Sequence, residues 1–377
     1  MPIAYKNLWD VCVVGGGPAG LATAIAARQH GLSVLVGDGA IPPIDKSCGE
    51  GLMPDGVQAL HSLGITIPES ERYSFRGIRF VNEGATAEAA FPRGTAYGVR
   101  RTHLHQAMVD HAAACGVRML WQAPVTGLHP EGVMIAGELV RARWTVGADG
   151  TSSRVRKWAK LDPPELSARR TAKLRFAFRR HYRVAPWTDF MELHWGPDCQ
   201  VYVTPVSPSE VCVALISSDP KLRLERALGE FPELRAHLHD AEYGSTERGA
   251  ITVTRRLRRV YRDRTALIGD ASGGVDAITG EGLCLTFRQA AFLGESLAGG
   301  DLTRYQRGHR ALGRRPALMS HMMLLMAKHP ALRRRTMQVF EKNPSAFSGM
   351  LALHVGEGSA RNHVSNGISM GWQLLKA

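Results

Sequence analysis

Four glycines within six residues, Gly15-Gly16-Gly17-Pro18-Ala19-Gly20, stand between a short apolar run and an alanine-rich segment. The run WDVCVV (9–14) reads as a buried strand, and PAGLATAIAARQH (18–30) as a helix that Gly31 stops. LSVLV (32–36) follows as a second strand. This is the minimal strand–helix–strand unit of a parallel sheet. The glycine spacing is GxGxxG. Gly15 permits the tight turn, Gly17 lets a pyrophosphate approach the backbone, and Gly20 lets helix and strand pack closely. Ala19 completes the cradle, and the phosphates sit at the positive helix N-terminus. Asp38, at the end of the second strand, is placed to accept hydrogen bonds from a ribose diol. The chain therefore begins with a dinucleotide-binding unit.

The rest of the 377 residues returns to that architecture twice. THLHQAMVDHAAAC (102–115) reads as a helix stopped by Gly116, and 117–121 and 143–148 read as strands of the first sheet. TALIG (265–269) is another short buried strand, followed by glycines and a helix over about 282–298. Between these segments lie weakly alternating strands in 75–99 and a run of strands from 174 to 216, expected to form an antiparallel sheet. An α/β fold with interleaved domains follows. Residues 1–75, 100–173 and 261–300 form the Rossmann-type domain, 76–99 and 174–260 the antiparallel substrate domain, and 301–377 a helical tail.

Gly269-Asp270 ends the TALIG strand, and Gly280 and Gly282 in ITGEG open the next helix. With the segment Asp149-Gly150-Thr151-Ser152-Ser153-Arg154-Val155-Arg156, these motifs resemble the FAD-dependent family of aromatic hydroxylases, flavin halogenases and geranylgeranyl reductases. The resemblance implies a non-covalently held FAD. Asp270 would then bind its ribityl chain, and the N–H groups around Gly280 and Gly282 would lie beside the pyrimidine ring, stabilising negative charge on the reduced flavin. Asp149 and Gly150 would help to bind FAD and NAD(P)H. Arg101 matches an arginine that reaches the phosphate or ribityl region, a task suited to a guanidinium. Lys46-Ser47-Cys48-Gly49-Glu50-Gly51-Leu52 is similar to the KxCGxGL segment of geranylgeranyl reductases. There it lies next to the flavin with the cysteine facing the substrate, so Cys48 and Lys46 are the candidate catalytic residues. The halogenase WxWxIP motif is absent.

On the substrate side, Met191, Leu193, Trp195, Tyr202 and Thr204 fall at period two on adjacent strands. Such a face suits a small apolar or aromatic molecule, while His194 points away from it. The Met-rich stretch LMSHMMLLM (318–326) lines a greasy tunnel or joins the core. The expected activity is an NADH- or NADPH-dependent monooxygenase, with a geranylgeranyl reductase-like C=C reductase of a prenyl or lipid chain as the alternative. A halogenase and a non-catalytic flavin binder rank below both.

Net charge is +13, much of it in arginine clusters that include Arg169-Arg170, Arg179-Arg180 and Arg333-Arg334-Arg335. No nucleic-acid-binding motif accompanies it. A solvated face with contacts to an anionic cofactor is the expectation, and an oily substrate makes peripheral membrane contact compatible with it. Six cysteines without a CxxC pair suggest reduced thiols in a cytoplasmic protein, with neither a disulfide framework nor a metal site. No repeat or heptad sets an oligomeric state.

Overall fold

In the computed structural model, residues 8–162 and 174–357 are described. Arg169 and Arg170, the end of the segment expected to run to 173, and the tail beyond 357 lie outside the described residues.

The first sheet runs in the order Tyr261–Arg262, Thr265–Leu267, Glu138–Gly147, Trp9–Val14, Val34–Gly37, Arg118–Leu120. The five strands from Thr265–Leu267 to Arg118–Leu120 pair in parallel. Pro18–Gln29 and Gly282–Ala298 pack along each other, close enough that a side chain on Gly294 would meet Ala26 at 2.8 Å. Val11–Val14, Leu21, Ile25, Val34–Val36, Val146 and Phe287 fill the core between strands and helices. An element absent from the sequence reading is the antiparallel meander Val125–His129 and Gly132–Ile135, which continues from Glu138–Gly147. Its residues are only partly buried in the first strand, so no clean alternation marks it.

The second sheet runs Glu242–Tyr243, Leu174–Arg183, Glu210–Ser217, Cys199–Ser207, Phe190–Trp195, Gly77–Asn82, Ala85–Ala90, with Arg248–Val253 also on Leu174–Arg183. It is mixed, where an antiparallel sheet was expected: Phe190–Trp195 pairs in parallel with Gly77–Asn82. Those strands come from separate segments, so no hairpin forces them to reverse. The central strands are buried on both faces. Val201, Val203, Val211, Val213 and Leu215 pack under the short helices Leu224–Leu228 and Pro232–Leu238. Met191, Leu193, Trp195, Tyr202, Ala214 and Ile216 face the other way, as the period-two reading expects.

The tail is helical through Leu302–Leu312, Arg314–Lys328, Pro330–Lys342 and Pro344–His354. Met323, Met326, Met337, Phe340, Phe347 and Leu351 join the same core as that second face. Among the described residues no helix is long and apolar enough to cross a membrane.

Candidate functional site

A single cavity of about 640 Å³ runs from the edge of the parallel sheet to the second sheet. Its size falls within the range of small-molecule sites. Both glycine-lined helix starts open into it: Gly15, Gly17 and Ala19 at one, Gly280 and Gly282 at the other. Neither helix carries a side-chain cap, so the free N–H groups of both first turns remain available.

Each glycine of the first loop does a different job. Gly15 has φ +108° and its missing side chain would meet the Ala148 carbonyl at 2.6 Å. A side chain on Gly20 would collide with the Gly15 carbonyl, so Gly20 sets the helix–strand approach and does not itself line the cavity. One on Gly17 would meet nothing within 4 Å: it would project into space a ligand can fill. Two residues hold the loop from behind. His105 receives the Ile44 N–H on Nδ1 (3.3 Å) and donates from Nε2 to the Gly16 carbonyl (2.8 Å). Burial lowers its pKa, so the ring is held neutral. Asp38 accepts from the Gly16 N–H at 2.6 Å and the Ala40 N–H at 2.7 Å while lining the cavity.

The second loop meets the first directly. A side chain on Gly269 (φ +58°) would lie 2.8 Å from the Ala19 methyl. Asp270 is at the cavity rim, accepting from Thr151 Oγ1 at 3.1 Å with Lys46 Nζ at 3.9 Å. Lys46 is about half exposed there, at the rim and not in the depth of the site. Gly274, Gly280 and Gly282 are open as Gly17 is, with nothing within 4 Å of an added side chain. Arg101 lines the cavity with its Nε buried and unpartnered. Two uncapped helix starts, an open glycine cradle and this orphaned guanidinium N–H fit a diphosphate-bearing flavin nucleotide. FAD would lie with its diphosphate at Gly15–Gly17 and Arg101, and its ring toward Gly280 and Gly282.

Asp149 and Gly150 (φ +77°) both line the cavity, and the Asp149 carboxylate is engaged by the protein. It accepts from Ser153 Oγ (2.5 Å) and from the N–H groups of Arg154 (2.6 Å) and Val155 (3.1 Å), capping the Arg154–Trp158 helix. Arg156, fully buried, donates to the carbonyls of Ala271 and Thr151 at 3.0 and 2.9 Å and so ties the two motif loops together.

At the far end the cavity is lined by Cys48, Met191, Tyr202, Thr204, Ala214 and Ile216. Burial pushes the Cys48 thiol up, so it stays protonated. Leu193 and Trp195, expected beside Met191, do not line this cavity. Each two-residue step carries a strand about 6–7 Å onward, and the same face has by then passed beneath the tail helices. Leu193 borders a small apolar gap with Met319, Met323 and Phe347, which Met191 and Tyr202 also border. Trp195 packs edge-on against Phe80 at 5.8 Å. Thus the Met-rich helix meets the extension of the site. His194 points to the opposite face, 3.0 Å from Glu192, as read from the sequence.

Three side-chain groups escaped the sequence reading. Glu50, in the left-handed region at φ +60°, is buried; it accepts the Arg101 N–H at 2.9 Å and sits 2.6 Å from His181 Nε2. Arg179 pairs with Asp45 and lies 3.8 Å from Glu50. Glu50, His181 and Cys212 also offer ligand atoms within 4.8 Å of one another, but the Arg179 cation already supplies positive charge there. Second, Arg175 clamps Asp276 (2.9 Å), whose carboxylate caps the turn leading to Gly280 through the Ile278 N–H (3.0 Å). Third, Glu281 contacts Arg315 (3.3 Å) and His354 Nδ1 (3.6 Å), and Asp55 contacts Arg315 (2.7 Å). Arg175, Arg179 and His181 recur at even spacing on one strand; charged residues at the inward period of a strand were the available signal. They also correct the expectation that the arginine clusters are solvated, because Arg179 and Arg333 are buried.

Comparison with known proteins gives the geometry a family. The chain is 28% identical over 365 residues to a menaquinone reductase of Mycobacterium tuberculosis, covering 87% of this chain and 88% of that one. It is 34% identical over 163 residues to a rifampicin monooxygenase of Streptomyces venezuelae, covering 40% of this chain and 33% of that one. A solved flavoprotein/dehydrogenase from Cytophaga hutchinsonii shares the fold, with a TM-score of 0.82 at 16% identity over 98% of this chain and 100% of that one. The FAD binding domain model matches residues 9–300, and the chain, an FAD-dependent oxidoreductase, belongs to that family.

Proposed function

We propose that the protein reduces a carbon–carbon double bond in a prenylated, apolar substrate, such as the chain of an isoprenoid quinone. The observation that carries this reading is the far end of the cavity. Its lining there is apolar except for Thr204, Tyr202 and the Cys48 thiol, and the hydroxyls of Thr204 and Tyr202 are committed to the carbonyls of Gly49 at 2.8 Å and Ile278 at 2.6 Å. Glu50 and Asp276, carboxylates that also line the cavity, are engaged by His181 at 2.6 Å and Arg175 at 2.9 Å, so neither is free to deprotonate a phenol for attack on oxygen. A protonated thiol is the right group to deliver a proton to carbon. The menaquinone reductase likeness over most of both chains points the same way, as does the Lys46–Leu52 segment.

Bound FAD, once reduced by NADH, NADPH or another donor, supplies the hydride. The protein's own contribution is to orient and to exclude water. Gly280 and Gly282 present backbone N–H groups to the ring. Met191 and Tyr202 hold the chain, and the proton is held at Cys48 Sγ.

The test is anaerobic turnover of the dithionite-reduced holoprotein with menaquinone or a digeranylgeranyl lipid, followed by product mass. A gain of two hydrogens is expected, and Cys48→Ala should slow it roughly 10²-fold or more while leaving flavin content unchanged. A product that gains oxygen, formed only under air, would establish the monooxygenase instead.

A further inference from the structure

We propose that the exposed stripe of the Arg314–Lys328 helix is a docking surface for an anionic lipid bilayer. Between Asp301 and Glu341 the chain has no acidic residue, yet it carries Arg304, Arg307, Arg310, Arg314, Arg315, Lys328, Arg333, Arg334 and Arg335. Some of these cations have internal tasks: Arg304 pairs with Glu295, Arg315 with Asp55, and Arg333 is buried against Asn82. Arg314, Lys328 and Arg335 are exposed.

On the helix itself, Arg314, Leu318, His321, Leu325 and Lys328 are all exposed. Steps of four, three, four and three place them on one face. Leu318 is 50% and Leu325 38% exposed, unusual for large aliphatic side chains. The stripe therefore reads cation, leucine, histidine, leucine, cation. This is the pattern of a helix lying in a membrane interface, with leucines among the acyl chains and long cationic side chains reaching back to phosphates. The opposite face of the helix buries Met319, Met323 and Met326, and Met319 and Met323 border the apolar gap that meets the substrate cavity at Met191 and Tyr202. One helix thus stands between the outer surface and the greasy end of the site.

Charge selects the occupant. A surface with cations at both ends and no carboxylate matches anionic headgroups, each cation strengthening binding roughly five-fold. A nucleic acid would satisfy the cations but offer the leucines nothing apolar. The inference rests on exposure and charge, not on which bond the enzyme reduces.

The experiment is co-sedimentation of the FAD-loaded full chain with vesicles of phosphatidylcholine alone and of phosphatidylcholine mixed with phosphatidylglycerol. Binding is expected only to the anionic vesicles. The pair Leu318→Ser and Leu325→Ser should weaken it about ten-fold, and Arg314→Gln with Lys328→Gln about twenty-five-fold, with flavin content unchanged. A second variant, Leu318→Trp, should show a blue-shifted emission on anionic vesicles and none on duplex DNA. Equal binding to both vesicle types, serine variants that bind as the parent does, or a tryptophan whose emission vesicles leave unmoved would each overturn the proposal. DNA binding that survives the serine pair while vesicle binding is absent would replace it with a polyanion surface.

Discussion

The two helix starts that frame the cavity are chemically alike but are held in place by different means. The first, at Gly15–Gly20, is fixed by local backbone geometry: a positive φ, a close helix–strand approach, and His105 and Asp38 hydrogen-bonded to Gly16. The second, at Asp276–Gly282, is fixed by side chains from remote segments. Arg175 reaches it from the second sheet, Tyr202 donates to the Ile278 carbonyl at 2.6 Å, and Arg315 and His354 reach Glu281 from the tail. The start that would take the diphosphate is therefore held mostly by nearby backbone, with His105 as a distant prop. The start that would take the ring is held by residues of the second sheet and the tail helices.

The largest expected effect breaks the first start. Gly20→Val would drive a branched side chain into the Gly15 carbonyl and should cost more than about 4 kcal/mol, enough to lose the folded domain. Gly17→Leu is the sharpening control. It points into open space, so the melting temperature of the flavin-free protein should stay put while FAD affinity falls ten- to a hundred-fold, about 1–3 kcal/mol of overlap. A Gly17 variant that melts early, or a Gly20 variant that keeps its flavin, would contradict this division of roles. At the second start, Arg175→Leu leaves Asp276 buried without its cation. That should destabilise the protein by about 3–5 kcal/mol, and thermal unfolding should show the loss even without FAD. If only FAD affinity changed, the loop would depend less on its remote partners than the comparison holds.

This contrast also explains what the sequence disclosed. The first start is legible because its glycine spacing and Asp38 lie within residues 9–38, in a pattern that backbone sterics dictate, although His105 and Ala148, which also shape it, do not. Gly280 and Gly282 could be read only with a family resemblance in hand. Arg175, Glu50 and His181 could not be paired at all, since their partners lie between 25 and 131 residues away. Asp149 taught a narrower lesson: an acidic residue before a Ser-rich helix start is also the signature of a cap, and here the carboxylate caps. Leu193 and Trp195 were given the correct face but the wrong end of it, because periodicity fixes the side of a strand and not where a cavity stops.

The remote grip predicts a pH signature that differs in sign from that of the first start, where buried His105, its pKa lowered, contributes only stability that rises with pH. Burial raises Glu281 from 4.5 to about 8, and burial lowers His354 from 6.5 to about 4. Between pH 4.5 and 8 the folded state holds a proton on Glu281 that the unfolded chain has released, so this term weakens stability as pH rises. Between pH 4 and 6.5 the unfolded chain holds a proton on His354 that the folded state lacks, so that term strengthens stability as pH rises. The two oppose each other below pH 6.5. Above it only Glu281 acts, and stability should fall from pH 6.5 to 8 by about 2 kcal/mol. Glu281→Gln should flatten that fall in chemical denaturation measured across the window. A slope that persists in the variant would assign it to another group.

The smallest effect tests the link to the substrate sheet. Tyr202→Phe keeps the ring that borders both the cavity and the apolar gap, and removes only the hydroxyl that donates to the Ile278 carbonyl. A buried hydrogen bond of this kind contributes about 1 kcal/mol, and the buried Ile278 carbonyl left behind loses its side-chain partner. The expected loss is therefore about 1–2 kcal/mol of stability. Because the bond ends two residues before Gly280, the same change should loosen the backbone beside the flavin ring. FAD should then bind a few-fold more weakly, with no change in its affinity for free ADP, which reports the first start alone. Equal weakening of both ligands would mean that Tyr202 supports the domain as a whole, and the two starts would have to be regarded as one cooperative unit.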